Sequence, residues 1–411
     1  MSPRPSPPTE ASQSARSAPE SGPPGWLVLL LAVSCGLTVA NLYYAQPLLA
    51  ELSRSFGISG LAAGGLITVT QVGYAAGMVF LVPLGDRVEN RRLVSTLLLL
   101  TCAALLVSAT APVFPVLLAA SLVSGATSVV VQILVPFAAD LAPDHSRGRI
   151  VGRVVSGLLT GILLSRTLSS LLADLAGWRV IYFTSAVLMA VLALVLRSAL
   201  PTRAPSTGLS YGRLLRTTAH LVRVHAPLRR RALYQAAMFA MFSAFWTTIS
   251  FVLTGPPFHY SQLGVGLFAL VGAGGALIAP WAGRWADRGL TRPMTAVAFV
   301  VAALSFVVAG VGRHSVILLA VAAILIDMAV QTTLVLGQHT IYALDPTARA
   351  RLNSAYIATL FLGGAVGSQL GSVAYHEGGW TALAGFGAAL PVLALLAWCT
   401  EGRVKETASA G

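Results

Sequence analysis

Twelve stretches of this chain are apolar and long enough to cross a bilayer, and this limits the fold more than any other feature. They run over roughly 26–48, 61–84, 93–110, 113–141, 150–174, 179–196, 231–254, 264–286, 293–311, 315–343, 353–375 and 380–398. A helix of about 20 apolar residues covers the hydrocarbon core of a membrane. Lipid offers no partner to an open backbone, so such stretches form helices. The alternating pattern of a barrel strand is absent. The chain is therefore predicted to be an all-α membrane protein with twelve transmembrane helices, here called spans 1–12.

Composition agrees. Hydrophobic residues make up 56% and charged residues 10%, against about one quarter charged in a soluble domain. The net charge of +13 could suggest nucleic acid, but its distribution argues otherwise. Of the 27 Lys and Arg, 23 lie before span 1, after span 12, or in loops 2–3, 4–5, 6–7, 8–9 and 10–11. The positive-inside rule then places both termini in the cytoplasm, with no nucleic-acid partner needed. The three cysteines fall in or beside apolar blocks without CxxC spacing, which argues against a metal site or a disulfide framework.

Residues 1–25 are rich in Pro and Ser and are expected to be a disordered cytoplasmic tail. Three signatures then recur at an offset of 201 or 202. Asp86-Arg87 is echoed by Asp287-Arg288, Arg147-Gly148-Arg149 by Arg349-Ala350-Arg351, and Gly177-Trp178 by Gly379-Trp380. They divide the chain into two parallel six-helix repeats, 26–196 and 231–398. A basic cytoplasmic linker, 197–230, joins them, and 399–411 forms a second tail. Parallel repeats of this kind place a substrate site near the midplane between the halves.

The run Leu84-Gly85-Asp86-Arg87-Val88-Glu89-Asn90-Arg91-Arg92 and its echo Gly283-Arg284-Trp285-Ala286-Asp287-Arg288-Gly289 are similar to the loop signature of the major facilitator superfamily of secondary transporters. The first copy departs from it at Val82 and Glu89, where glycine is usual. Asn41-Leu42-Tyr43-Tyr44-Ala45-Gln46-Pro47 resembles a subgroup of bacterial efflux permeases. The resemblance extends over about 26–398. It implies a multi-pass protein of the bacterial inner membrane that works as a monomer by alternating access. It also implies that Asp86, Arg87, Arg91, Arg92, Asp287 and Arg288 form a conformational latch. Asp86 would accept hydrogen bonds from a helix N-terminus, and the arginines would pair with carboxylates or lipid phosphates.

Ionisable residues inside spans are costly and functional by default. Asp327 lies about twelve residues into span 10, near mid-bilayer at about 1.5 Å per residue. Arg166 lies in the outer half of span 5. Both are proton-coupling candidates, Asp327 first, because a carboxyl at that depth can exist charged or neutral. Recognition of a charge on the substrate or a permanently paired structural carboxylate are the alternatives for Asp327, and helix pairing is the alternative for Arg166. Polar stripes at spacings of 3, 4 and 7 mark one face each of span 1 (Ser34, Thr38, Asn41), span 4 (Ser124, Ser128, Gln132), span 7 (Ser243, Thr247, Ser250) and span 10 (Asp327, Gln331, Gln338). Small polar residues also serve plain helix packing. The substrate-cavity candidates are Asn41, Tyr44, Gln71, Gln132, Trp246, Gln331 and Tyr356.

No Walker-type, metal, nucleophile or nicotinamide signature is present, so neither a cofactor nor an enzyme activity is expected. Proton-driven drug antiporters usually carry an Arg in span 4, where this chain has Ser121-Leu122-Val123-Ser124-Gly125. The leading expectation is proton-coupled export of small, partly hydrophobic molecules, with the lipid bilayer, protons and the substrate as partners. Uptake or facilitated passage of a nutrient or metabolite is the alternative. A lipid-acting membrane enzyme is disfavoured, because the cytoplasmic acids Asp86, Asp144, Asp287 and Asp345 are dispersed between the repeats.

Overall fold

The computed structural model of the protein describes residues 22–143, 145–202 and 210–409, with side chains throughout except at 276 and 402–409. Most of the tail expected to be disordered, together with Asp144, lies outside the described residues. The described residues are helical, with no strand among them.

Among the described residues, ten helical stretches are long and apolar enough to cross a membrane. One of them, 349–401, is two spans that meet at Gly379. Its φ of +64° and ψ of −160° fall where essentially only glycine is stable. The equivalent Gly177, between spans 5 and 6, also has a positive φ, +84°. The Gly-Trp repeat in the sequence thus encodes the same turn twice. The shorter first helix, Gly25–Ala40, continues through a turn and the 3-10 helix Gln46–Leu48 into Leu49–Phe56. The total is twelve spans.

Each half is locked by the same contact. In the first half, Gly157 of span 5 lies against the backbone of Ala32 in span 1, and Gly161 lies against Gly36. In the second, Gly363 of span 11 lies against Ala236 in span 7, and Gly367 against Ala240. A Cβ at any of these four glycines would collide with a backbone carbonyl. These are the close helix approaches that small residues permit in membranes.

Several features differ from the sequence reading. Span 7 begins at Ala226 rather than 231, because Pro227 sits in the first turn, where its missing N–H costs nothing. Arg229–Arg231 made that first turn too polar to read as membrane helix. Within the linker, Tyr211–Val224 forms an amphipathic helix. Leu214 and Val222 turn inwards, and Tyr211 Oη donates to Phe80 O at 2.7 Å. Span 8 is not one helix. It runs as Gln262–Ala269, a 3-10 turn Leu270–Gly272, Ala273–Ala276 and Ala279–Asp287. Three glycines (Gly272, Gly274, Gly275) weaken this stretch, and Pro280 cannot donate to residue 276. Irregular backbone at membrane depth is tolerated where protein surrounds it.

Candidate functional site at the seam between the halves

Two charged groups lie where the halves meet, Arg166 buried and Asp327 half-buried. Arg166 of span 5 is 4% exposed. Asp327 of span 10 belongs to the other half. No direct hydrogen bond joins them; the indole of Trp246, on span 7, stands in the cluster with both. Trp246 Nε1 donates to Asp327 Oδ1 at 3.0 Å. The Arg166 guanidinium lies over the Trp246 ring, 4.2 Å from its centroid. Tyr43 and Phe242 add two more rings, at 5.1 and 5.6 Å. Arg166 Nε donates to Gln46 Oε1 at 2.8 Å. Aromatic faces are favourable partners for a guanidinium in a desolvated setting.

Asp327 packs against the broken part of span 8, with Gly272 and Gly275 as its immediate neighbours. In the first half, Gly73 of span 2 lies against the backbone of Leu122 and Ala126 in span 4. At the repeat offset of 201 or 202, Asp327 aligns with Gly125 or Ala126, so the carboxylate stands where the first half has a residue with little or no side chain.

Other polar contacts tie the halves together along the seam. Gln71 Nε2 on span 2 donates to Ser243 Oγ on span 7 at 2.8 Å. Gln132 Nε2 on span 4 donates to Tyr74 Oη at 3.2 Å, and Gln132 Oε1 accepts from Asn353 Nδ2 on span 11 at 3.4 Å. Asn353 Oδ1 in turn accepts from Gln338 and Tyr342 on span 10. Farther from the linker, Thr68 and Ser368 share a 2.7 Å hydrogen bond, and Thr167 Oγ1 donates to Gly266 O at 2.9 Å. These close spans 2–11 and 5–8 at that end. At the linker end, a cavity of about 410 Å³ separates the ends of spans 2, 4 and 11 and is roofed by the linker helix.

Of the sequence-derived cavity candidates, Gln71, Gln132 and Trp246 lie on the seam. Gln331 is half-buried on span 10. Asn41 is bonded inside the first half, accepting from Ser185 Oγ at 2.7 Å and donating to Thr38 O. Tyr44 lies there too, near Ser185. Tyr356 is buried in the second half, where its hydroxyl donates to Thr333 O at 3.4 Å. Among the latch residues, Asp86 lines the linker-end cavity. Arg87, Arg92 and Arg288 are exposed, and Arg91 is half-buried. Asp287 reaches His339 of span 10 at 3.9 Å. In the 10–11 loop, the hydroxyl and N–H of Thr347 donate to Asp345, which holds that carboxyl below the usual carboxylate range.

Sequence reasoning missed Gln46, Tyr43 and Phe242 around Arg166, and Tyr74 and Asn353 on the seam. Gln46 and Tyr43 stood inside the Asn41–Pro47 run, so a signal was present. Asn353 sits four residues past the basic end of span 11, where a hydropathy reading sees only a helix boundary.

The sequence profile of the Major Facilitator Superfamily matches residues 29–342. An uncharacterized transporter of Escherichia coli O157:H7, YgaY, is 42% identical over 383 residues, 93% of this chain and 97% of that protein. A Streptomyces coelicolor protein named as transporter SCO4007 is 36% identical over 91% of this chain and 88% of its own length. The nucleoside transporter NupG superimposes with a TM-score of 0.74 at 14% identity, over 91% of this chain and 99% of that one. A D-xylose-proton symporter gives 0.68 at 15%, over 90% and 96%. At these identities the structures share the fold alone.

Proposed function

Because the chain belongs to the major facilitator superfamily, we propose that it is a proton-coupled secondary transporter that exports small, partly hydrophobic molecules by alternating access. One observation carries this reading: a half-buried carboxyl of one half and a buried guanidinium of the other meet around a single indole. A charged Asp327 makes a charge-assisted bond to Trp246 and balances Arg166. A neutral Asp327 does neither. Proton occupancy thereby changes how strongly the halves hold each other in this arrangement, and a ligand shifts a conformational equilibrium only by such a difference. Asp327 is the proton-exchanging group in this reading, with Arg166 as its counter-charge.

Gln71, Gln132, Trp246 and Gln331 then face the substrate path, while Asn41, Tyr44 and Tyr356 hold the two bundles that move. Asp86 and Asp287, with the arginines beside them, latch the linker end. The protein works as a monomer in the bacterial inner membrane with both termini in the cytoplasm.

The test is accumulation of a panel of dyes and antibiotics in an efflux-deficient bacterium. Cells carry wild type, Asp327→Asn or empty vector, with and without a protonophore. The expected result is lower accumulation with wild type, lost in the variant and with the protonophore. Full, still protonophore-sensitive efflux by Asp327→Asn would sink the proton role. Accumulation raised above the vector would replace export with uptake.

A further inference from the structure

The cluster around Arg166 contains hydrogen-bond donors with no partner among the described residues. Gln46 is 1% exposed and Arg166 is 4% exposed. Gln46 Nε2 and Arg166 Nη2 are both buried without a partner. The orientation of the Gln46 amide is set by its neighbour: a guanidinium has donors only, so the glutamine must face it with oxygen. The amide nitrogen is thereby turned away as a second free donor. A buried donor without an acceptor costs free energy comparable to a lost hydrogen bond. Two of them on one bonded pair of side chains mark a place for an acceptor that the chain does not supply.

The surroundings limit what that acceptor belongs to. Tyr43, Phe242 and Trp246 wall the guanidinium with aromatic rings. Phe268 of span 8 extends this wall from Trp246. Thr247 and Ser250, on the same span as Trp246, also carry buried hydroxyls without partners. Arg166 and an ionised Asp327 have opposite charges that cancel. A ligand that brought a charge of its own would leave one charge uncompensated in a low-dielectric site, which is expensive.

We propose that Arg166 Nη2 and Gln46 Nε2 bind the acceptor oxygen of an uncharged molecule with an aromatic or apolar body, such as a carboxamide or ketone, packed against the rings of Tyr43, Phe242 and Trp246. This rests on reading the seam as the substrate site. It goes further by fixing the charge and the polar group of the substrate. Gln46 and Arg166 are then specificity-determining residues: they select an acceptor oxygen over an ammonium group by donating only, and over a carboxylate by charge balance.

The test is calorimetric titration of the purified full-length protein in lipid nanodiscs, with no proton gradient. The probes are three analogues of one shape: 4-phenylbutyramide, 4-phenylbutyrate and 4-phenylbutylamine. The amide is expected to bind at least about tenfold more tightly than either charged analogue. Gln46→Leu is expected to weaken the amide by about tenfold, the worth of one buried hydrogen bond. Gln46→Glu, which gives Arg166 a carboxylate of its own, is expected to abolish amide binding. Each variant is first checked for a monodisperse elution profile, and the three-probe comparison on wild type needs no variant. Binding of either charged analogue as tight as the amide, no saturable heat from the amide, or unchanged amide affinity in Gln46→Leu overturns the proposal. The proton-coupled reading fails separately, through the accumulation assay on Asp327→Asn.

Discussion

Trp246 donates its indole N–H to Asp327 while offering its ring face to Arg166, so one side chain mediates between charges contributed by opposite halves. The arrangement separates two properties that a direct ion pair would merge. Asp327 has a partner that holds it in place, and Arg166 remains positioned without being bonded to the carboxylate.

Replacing the indole tests this mediation. Trp246→Phe keeps the ring and removes the donor, leaving Asp327 Oδ1 without its hydrogen bond. A buried group left unsatisfied costs about 1–3 kcal/mol. The purified variant is therefore expected to unfold at a lower temperature than wild type. Asp327→Asn keeps an oxygen for the indole to bond and is expected to lose less stability than Asp327→Leu. Thermal unfolding in one detergent ranks the three variants. An Asp327→Leu protein as stable as Asp327→Asn would contradict the bond's role.

The charges should also be coupled. Residues in one contact cluster show non-additive effects of about 0.5–3 kcal/mol. Arg166→Gln and Asp327→Asn each leave one charge of the cluster uncompensated. The double variant leaves none and is expected to be more stable than the sum of the single changes. A double-mutant cycle of unfolding free energies gives the coupling directly, and additivity within error would mean that the two groups do not sense each other.

The matched glycine contacts predict matched damage. Gly161→Ala and Gly367→Ala each push a Cβ into a backbone carbonyl of the neighbouring span, and overpacking of this kind costs about 1–3 kcal/mol. Both are expected to lower the thermal stability of the solubilised protein by a similar amount. Gly148→Ala meets nothing within 4 Å and lies in a helix, so it should be neutral or slightly stabilising. Size-exclusion thermostability of the three variants checks the contrast.

Thr68 and Ser368 offer a reversible clamp. Their hydroxyls are 2.7 Å apart across spans 2 and 11. Thr68→Cys with Ser368→Cys, in a background where Cys35, Cys102 and Cys399 are Ser, is expected to cross-link under mild oxidant. If the halves must part at this end, transport should stop on oxidation and return with a reducing agent. Full transport by the cross-linked protein would show that this end need not open.

Much of the fold was legible because membrane spans announce themselves by length and apolarity. The repeat was legible through its turns, since Gly177 and Gly379 both need backbone conformations that side chains resist. The break in span 8 was not. Closely spaced glycines such as Gly272 and Gly275 are common where membrane helices pack, and only the structure shows Asp327 filling the space that they leave. Asp327 and Arg166 stood out because charge is rare in lipid. Gln46 did not, because its importance comes from the guanidinium it faces, across a sequence distance of 120 residues. Hydropathy reads each span alone and is blind to such pairings.

Backbones in direct contact, as Gly157 and Gly161 are with span 1 and Gly363 and Gly367 are with span 7, have no side-chain cushion to deform. Each bundle is thus mechanically stiff along the helix pair at its centre. Strain applied to one face passes through the bundle instead of being absorbed in it. The compliant parts of the molecule are then the hydroxyl and amide contacts of the seam and the interrupted helix beside Asp327, and mutations there should alter rates of movement more than they alter stability.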